Sequence, residues 1–190
     1  MMKPDEPAPT PYRPDGRVIF ETSRLIGRHL VASDLDAMHA VYGDAGAMRW
    51  VGDGQPLERE RCARWIDVTH RNYELRGYGM TALIDRATRD TVGFCGLVHP
   101  NDQVEAELKY ALQRAWWGRG LATEGATGMV SYAASVLGLD HIMATAAPEH
   151  AASHRVLIKA GLQRGAVRQN ADGSLTQMFA WHAASRQNGA

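Results

Sequence analysis

The apolar positions of this chain change their period several times, and each change marks an element. Val18 to Val31 alternates in the manner of one or two strand segments. Ser33-Asp34-Leu35-Asp36 has the form of a capped helix start, with Leu35, Met38 and Tyr42 on one face. A second helix is predicted from Pro56 or Leu57 to about Arg76, with Cys62, Trp65, Ile66, Thr69 and Tyr73 at helical spacing and Gly77 as its stop. The period then falls to two. Tyr78 to Asp85 and Thr91 to Leu97 read as strands paired across the polar turn Arg86 to Asp90. A turn at Pro100-Asn101-Asp102 leads into an alternating run from Val104 to Leu112. A long helical pattern, Ala122 to Leu137, is closed by Gly138. His141 to Thr145 is a short strand, Ala151 to Ala160 a helix stopped by Gly161, and Leu162 to Arg168 pairs as a hairpin with Leu175 to His182. The order β-α-α-β-β-β-α-β-α-β-β belongs to a mixed α/β domain with a largely antiparallel first half.

Composition narrows the class. A chain of 190 residues with 45% hydrophobic content can bury one full core. Five of its eight prolines fall in the first sixteen residues, so residues 1–16 are predicted to be an extended or mobile segment. The folded domain is assigned to 17–183 and a tail to 184–190. Lys+Arg 21 against Asp+Glu 21 gives zero formal net charge, which points to neither nucleic acid nor an anionic membrane. No apolar run approaches the ~20 residues that span a bilayer. The proline-rich, acidic start is no signal peptide, and Cys62 and Cys95 stand apart as free thiols, so a reducing cytoplasm is expected. The eight histidines lack metal-ligand spacing: His150 and His154 share a helix face without a third ligand, and no metal is predicted.

The chemistry concentrates in Trp116-Trp117-Gly118-Arg119-Gly120-Leu121-Ala122-Thr123-Glu124. A strand feeding a glycine turn and then a helix gathers free backbone N–H groups at the positive end of a helix dipole. The glycines admit close approach of a ligand, and Arg119 adds a fixed charge suited to a phosphate oxygen. The run lacks the Lys-Ser/Thr ending of a Walker loop and the third glycine of the dinucleotide fingerprint. By spacing alone it is an anion site or a tight connection.

Several stretches together resemble the GNAT family of N-acetyltransferases, in the branch of the ribosomal-protein alanine N-acetyltransferases. They are Glu21-Thr22-Ser23-Arg24-Leu25, Asp34-Leu35-Asp36-Ala37-Met38, Gly93-Phe94-Cys95-Gly96-Leu97, Glu107-Leu108-Lys109-Tyr110, the glycine loop from Trp117 to Glu124, and Ser153-His154-Arg155-Val156-Leu157 onward. They cover roughly Arg17 to Trp181 in the family's order. The resemblance implies one mixed sheet with splayed central strands and acetyl-CoA as co-substrate. By the same resemblance, the backbone of Tyr110, Ala111 and Leu112 meets the pantetheine arm like an added strand. Trp117, Gly118, Arg119, Gly120, Leu121, Ala122 and Thr123 then face the pyrophosphate, with Ser153 beside the thioester.

Direct attack by an amine needs a base but no covalent intermediate. A carboxylate is available on the strand before the loop: alternation puts Glu105, Glu107 and Lys109 on one face. Glu107 matches the family's Glu-Ile-Gly-Tyr motif and is the favoured base, with Glu105 as alternate. The other reading of that face is a solvated surface on which Lys109 pairs the glutamates. Lys109 replaces the family's small residue, His150 replaces its asparagine, and Leu157 stands where many relatives carry an acidic tyrosine. Ser153 is therefore the nearest acid, or else a helix N-terminal hydroxyl bonded to backbone. Arg49, Trp50 and Tyr78 are expected to border the acceptor groove. An α-amino acceptor near pKa ~7.8 costs under ~1.5 kcal/mol to deprotonate at pH 7, whereas a lysine near ~10.4 costs about 4 to 5. The expected function is acetyl transfer to a primary amine, a protein N-terminus or a small molecule, by a monomer or homodimer. The alternatives are a non-catalytic acyl-CoA-binding module and, more distantly, a nucleotide-binding protein.

Overall fold

A computed structural model describes residues 16–183. The predicted N-terminal segment, except Gly16, and the tail at 184–190 lie outside them. One eight-stranded sheet runs in the order β1-β2-β3-β4-β5-β6-β8-β7. Its strands are β1 (Val18–Glu21), β2 (Leu25–His29), β3 (Met80–Asp85), β4 (Thr91–Val98), β5 (Glu107–Leu112), β6 (His141–Ala146), β7 (Gln163–Gln169) and β8 (Leu175–His182). Neighbours are antiparallel except β5 and β6, which run parallel. β8 slots between β6 and β7, so the closing hairpin inserts its second strand into the sheet.

Helices cover both faces. α1 (Leu35–Tyr42), α2 (Ala45–Met48) and α3 (Arg59–Arg76) share one apolar cluster built on Leu30, Met38, Ile66, Ile84 and Phe94. α4 (Leu121–Ser135) and α5 (Ala151–Lys159) share the other, with Leu83, Leu108, Met129, Ile142, Leu157 and Phe179. α3 buries Cys62, Ile66, Thr69 and Tyr73, the stripe its spacing predicts, and Gly77 stops it at a φ of 78°. Among the described residues no helix is long and apolar enough to cross a membrane.

Three departures from the sequence reading have a clear physical cause. The short α2 was not foreseen; Asp44 caps it, accepting the Ala47 N–H at 2.8 Å, and four residues leave no periodicity to detect. α1 opens through a 3-10 turn at Ala32–Asp34 instead of a capping serine. The buried Asp34 carboxylate binds Arg28 bidentately at 2.7 Å and accepts the Val31 N–H. β5 begins at Glu107 rather than Val104, because β4 pairing ends at Val98 opposite Glu107. Residues before it leave a turn in which Asn101 and Asp102 have positive φ, and Val104 is exposed.

Candidate active site

The parallel pairing of β5 with β6 is confined to one register position, Glu107 opposite Met143. The Met143 N–H reaches the Ala106 carbonyl at 3.0 Å, and beyond that the strands diverge into a fork. Strand alternation decides which groups of β5 line the opening. Gln113 donates its N–H to Val92 of β4 at 3.0 Å, so residues of the same parity, Ala111 among them, turn their backbone toward β4. Tyr110 and Leu112 turn theirs toward the fork. Of the three residues expected to meet pantetheine, Ala111 is thus corrected to a member of the β4 ladder, its side chain buried in the α1–α3 cluster.

The glycine loop stands at the open end. After a 3-10 turn at Arg114–Trp116, Gly118 and Gly120 adopt φ values of 74° and 77°, and α4 starts at Leu121. Gly120 at the N-cap has no side chain with which to satisfy the first helical N–H groups, so those donors point outward. The loop is tied down from behind. The Trp117 indole donates to the Leu112 carbonyl at 2.8 Å, and Arg24 donates to the Arg119 carbonyl at 2.9 Å. Arg119 itself is exposed, its guanidinium 4.9 Å from the centre of the Trp116 ring. Glu124, one turn into α4, accepts from Thr22 Oγ1 at 2.6 Å, Ser23 Oγ at 3.1 Å and the Arg24 N–H at 2.7 Å, and its other oxygen pairs the Arg24 guanidinium. This network clamps the β1–β2 turn against α4. Burial pushes the Glu124 carboxyl up, but those hydrogen bonds outweigh it and hold the group below the usual carboxylate range.

A carboxylate cluster closes the other end of the fork. Glu107 is 3% exposed. Its Oε1 forms an ion pair with Lys109 and accepts the Thr145 hydroxyl at 2.5 Å, while Lys109 Nζ donates to Thr145 Oγ1 at 2.9 Å. Oε2 is held loosely, with Gln103 Nε2 at 3.5 Å, and retains room for another donor. Glu105 does not join this face. It precedes the strand and is exposed, because the alternation that aligned it with Glu107 starts only at Glu107. The solvated reading holds for Glu105, while Lys109 pairs with a Glu107 that is almost wholly buried.

Ser153 sits 8% exposed in the first turn of α5, and its Oγ lies 2.7 Å from the Tyr110 hydroxyl. Burial raises the Tyr110 phenol above its ordinary range against a smaller opposing contribution from Ser153, so it stays protonated and can donate to the serine. Arg49 and Trp50 follow α2 and form one group. Trp50 stacks on His150 with ring centroids 4.9 Å apart, and Arg49 lies 5.0 Å from the Trp50 centroid. Burial, then the nearby His154, lowers the His150 pKa below 6.5. Tyr78 is elsewhere: its hydroxyl lies 2.8 Å from His99 Nε2, and His99 Nδ1 lies 2.9 Å from the Gln103 carbonyl. It reaches the carboxylate cluster through Gln103, not the Trp50 group. Thr145 and Gln103 were not singled out by sequence reasoning; both act across the fork or through a turn, where no local spacing reports them. Arg24 and Glu124 did lie within the family-like stretches, without an assigned partner.

A family model described as an acetyltransferase (GNAT) domain matches residues 24–163. The chain is 32% identical over 155 residues to the uncharacterized N-acetyltransferase YoaA of Bacillus subtilis, covering 80% of this chain and 86% of that protein. The acetyltransferase (GNAT family) of Bacillus anthracis has the same fold, with a TM-score of 0.74 at 20% identity over 86% of this chain and 97% of that one. So does RimL, a ribosomal α-N-protein acetyltransferase solved with coenzyme A, with a TM-score of 0.74 at 16% identity over 87% of this chain and 98% of that one. With the model spanning most of the folded residues and the forked sheet matching in shape, the chain belongs to the GNAT family of acetyltransferases.

Proposed function

We propose that this acetyltransferase moves the acetyl group of acetyl-CoA directly onto a primary amine, with a protein N-terminus or a small-molecule amine as acceptor. The observation that carries the reading is the buried carboxylate of Glu107 at the closed end of a fork whose open end carries an uncapped helix N-terminus. The pyrophosphate is assigned to the N–H groups from Gly118 to Thr123, and the pantetheine arm to the backbone of Tyr110 and Leu112. The thioester then lies between Glu107 and Ser153.

Glu107 takes the ammonium proton, and the free amine attacks the carbonyl carbon. The thiolate departs toward Ser153, whose Oγ lies 2.7 Å from the Tyr110 hydroxyl in a pair where either oxygen can donate. Direct transfer also suits the cysteines. Cys62 and Cys95 are buried and burial pushes both thiols up, the reverse of what an acyl-carrying thiolate requires. An α-amino acceptor asks less of a single carboxylate than a lysine does.

Thiol release from acetyl-CoA across a panel of N-terminal peptides and small amines tests the reading. Turnover that is lost in Glu107→Gln with CoA affinity kept supports it. Tight CoA binding without turnover on any amine overturns the transfer, and no CoA binding overturns the assignment of the fork.

A further inference from the structure

We propose that Lys109 is itself an acetyl acceptor, so that the chain acetylates its own active-site lysine when no external amine is present. The inference rests on the acetyl-transfer reading above. The Lys109 ammonium is paired with Glu107, the assigned base, and bonded to Thr145 across the fork, where an acceptor's ammonium is needed. Its side chain is 40% exposed, so the pair is open to ligands and is not sealed in the core.

Residue type strengthens the case. The chain has three lysines, Lys3, Lys109 and Lys159, against eighteen arginines. Arginine is its usual cation, and an arginine would pair with Glu107 as well or better while remaining unable to act as a nucleophile. At the one position beside the buried carboxylate the chain carries the cation that can lose a proton. The two side chains sit two residues apart on one face of β5, and the neighbouring Tyr110 turns its backbone to the fork that holds the thioester.

The step balances without a further reactant. Glu107 accepts one proton from the Lys109 ammonium, Nζ bonds to the acetyl carbonyl carbon, the carbon–sulfur bond breaks, and the second proton that Nζ sheds passes, through Ser153 or water, to the departing thiolate. The product is a neutral acetamide and a Glu107 without its internal cation. An incoming amine competes with Lys109 for the same carboxylate, so self-acetylation is the reaction of an idle enzyme.

Incubating the full chain with acetyl-CoA alone, and following each lysine by peptide mass spectrometry, tests this. Lys159, exposed at the end of α5, reports the uncatalysed background. An ion-paired lysine should react more slowly than Lys159 without catalysis. With Glu107 as base, Lys109 is expected to acetylate about a hundredfold faster than Lys159, at a rate per chain independent of protein concentration. Glu107→Gln should bring it down to the background rate, and Lys109→Arg should remove the signal while CoA still raises the melting temperature. CoA binding with Lys109 no more reactive than Lys159 overturns the inference and leaves the transfer reading intact. Failure of CoA to bind overturns the transfer reading instead.

Discussion

The glycine loop and the carboxylate cluster stand at the two ends of β5 and are made of opposite materials. The loop offers backbone: its donors are N–H groups, its glycines hold φ values of 74° and 77°, and the Trp117 indole and the Arg24 guanidinium brace it from behind. The cluster offers side chains, gathered from β5, β6 and a turn, with Glu107, Thr145, Lys109 and Gln103 converging on one carboxylate. A backbone site depends little on residue identity, because any sequence that makes the turn presents the same donors. A side-chain site can change its preference one residue at a time. On the proposed reading, acceptor preference would be set at the closed end of the fork.

Breaking the chemical end should have the largest effect. Glu107→Gln is expected to lower kcat by about a hundredfold or more while the Kd for CoA stays put, as thiol-release kinetics beside calorimetry would read. A parallel loss of CoA affinity would mean that the two ends are not separable. Next comes the brace. Glu124→Gln should cost roughly 2 kcal/mol of stability, since it removes a charged partner from four groups. Because the folded Glu124 carboxyl lies below its usual 4.5, the unfolded chain binds that proton more readily. The stabilisation is therefore present above about pH 4.5 and fades as pH falls through the lowered value. Denaturant unfolding of wild type and variant should converge in acid, and curves that stay apart would remove Glu124 as the source.

The loop itself responds more modestly. Gly120→Val imposes a left-handed φ on a branched residue, at about 1 to 3 kcal/mol, and sets its Cβ 3.6 Å from the Arg24 guanidinium that braces the loop. The Kd for CoA should rise about tenfold or more. Gly118→Ala imposes a similar left-handed φ on a smaller side chain, with no protein atom within 4 Å of its added Cβ. Equal affinity losses at both positions would argue for strain alone. The smallest change is Tyr110→Phe. It deletes the 2.7 Å contact that orients Ser153 and should lower kcat by about threefold to tenfold, with the backbone contacts to the cofactor retained.

The sequence exposed the loop end more fully than the chemical end, for the same reason that the ends differ. Strand, glycines and helix are consecutive, so local pattern alone marked the turn from Trp117 to Thr123 as an anion site or a tight connection. Glu107 was readable from its motif and Ser153 from its place in the last helix. Thr145 was not, because it lies 38 residues from Glu107 and meets it only when β5 and β6 register. The alternation from Val104 misaligned Glu105, since an apolar-polar rhythm continues past the point where a strand loses its partner. The stack of Trp50 on His150 joins two loops that no periodicity connects.

The single register position that joins β5 to β6 has a consequence for the molecule without its cofactor. Five strands on one side and three on the other share one backbone register position, Glu107 opposite Met143, beyond which Thr145 side-chain bonds and the α4–α5 apolar cluster span the gap instead of a ladder. The amides of Tyr110 and Leu112 should then exchange with solvent at the rate of a sheet edge until a pantetheine arm bridges the gap. On this view the cofactor is the ninth strand, and the enzyme completes its own fold each time it loads.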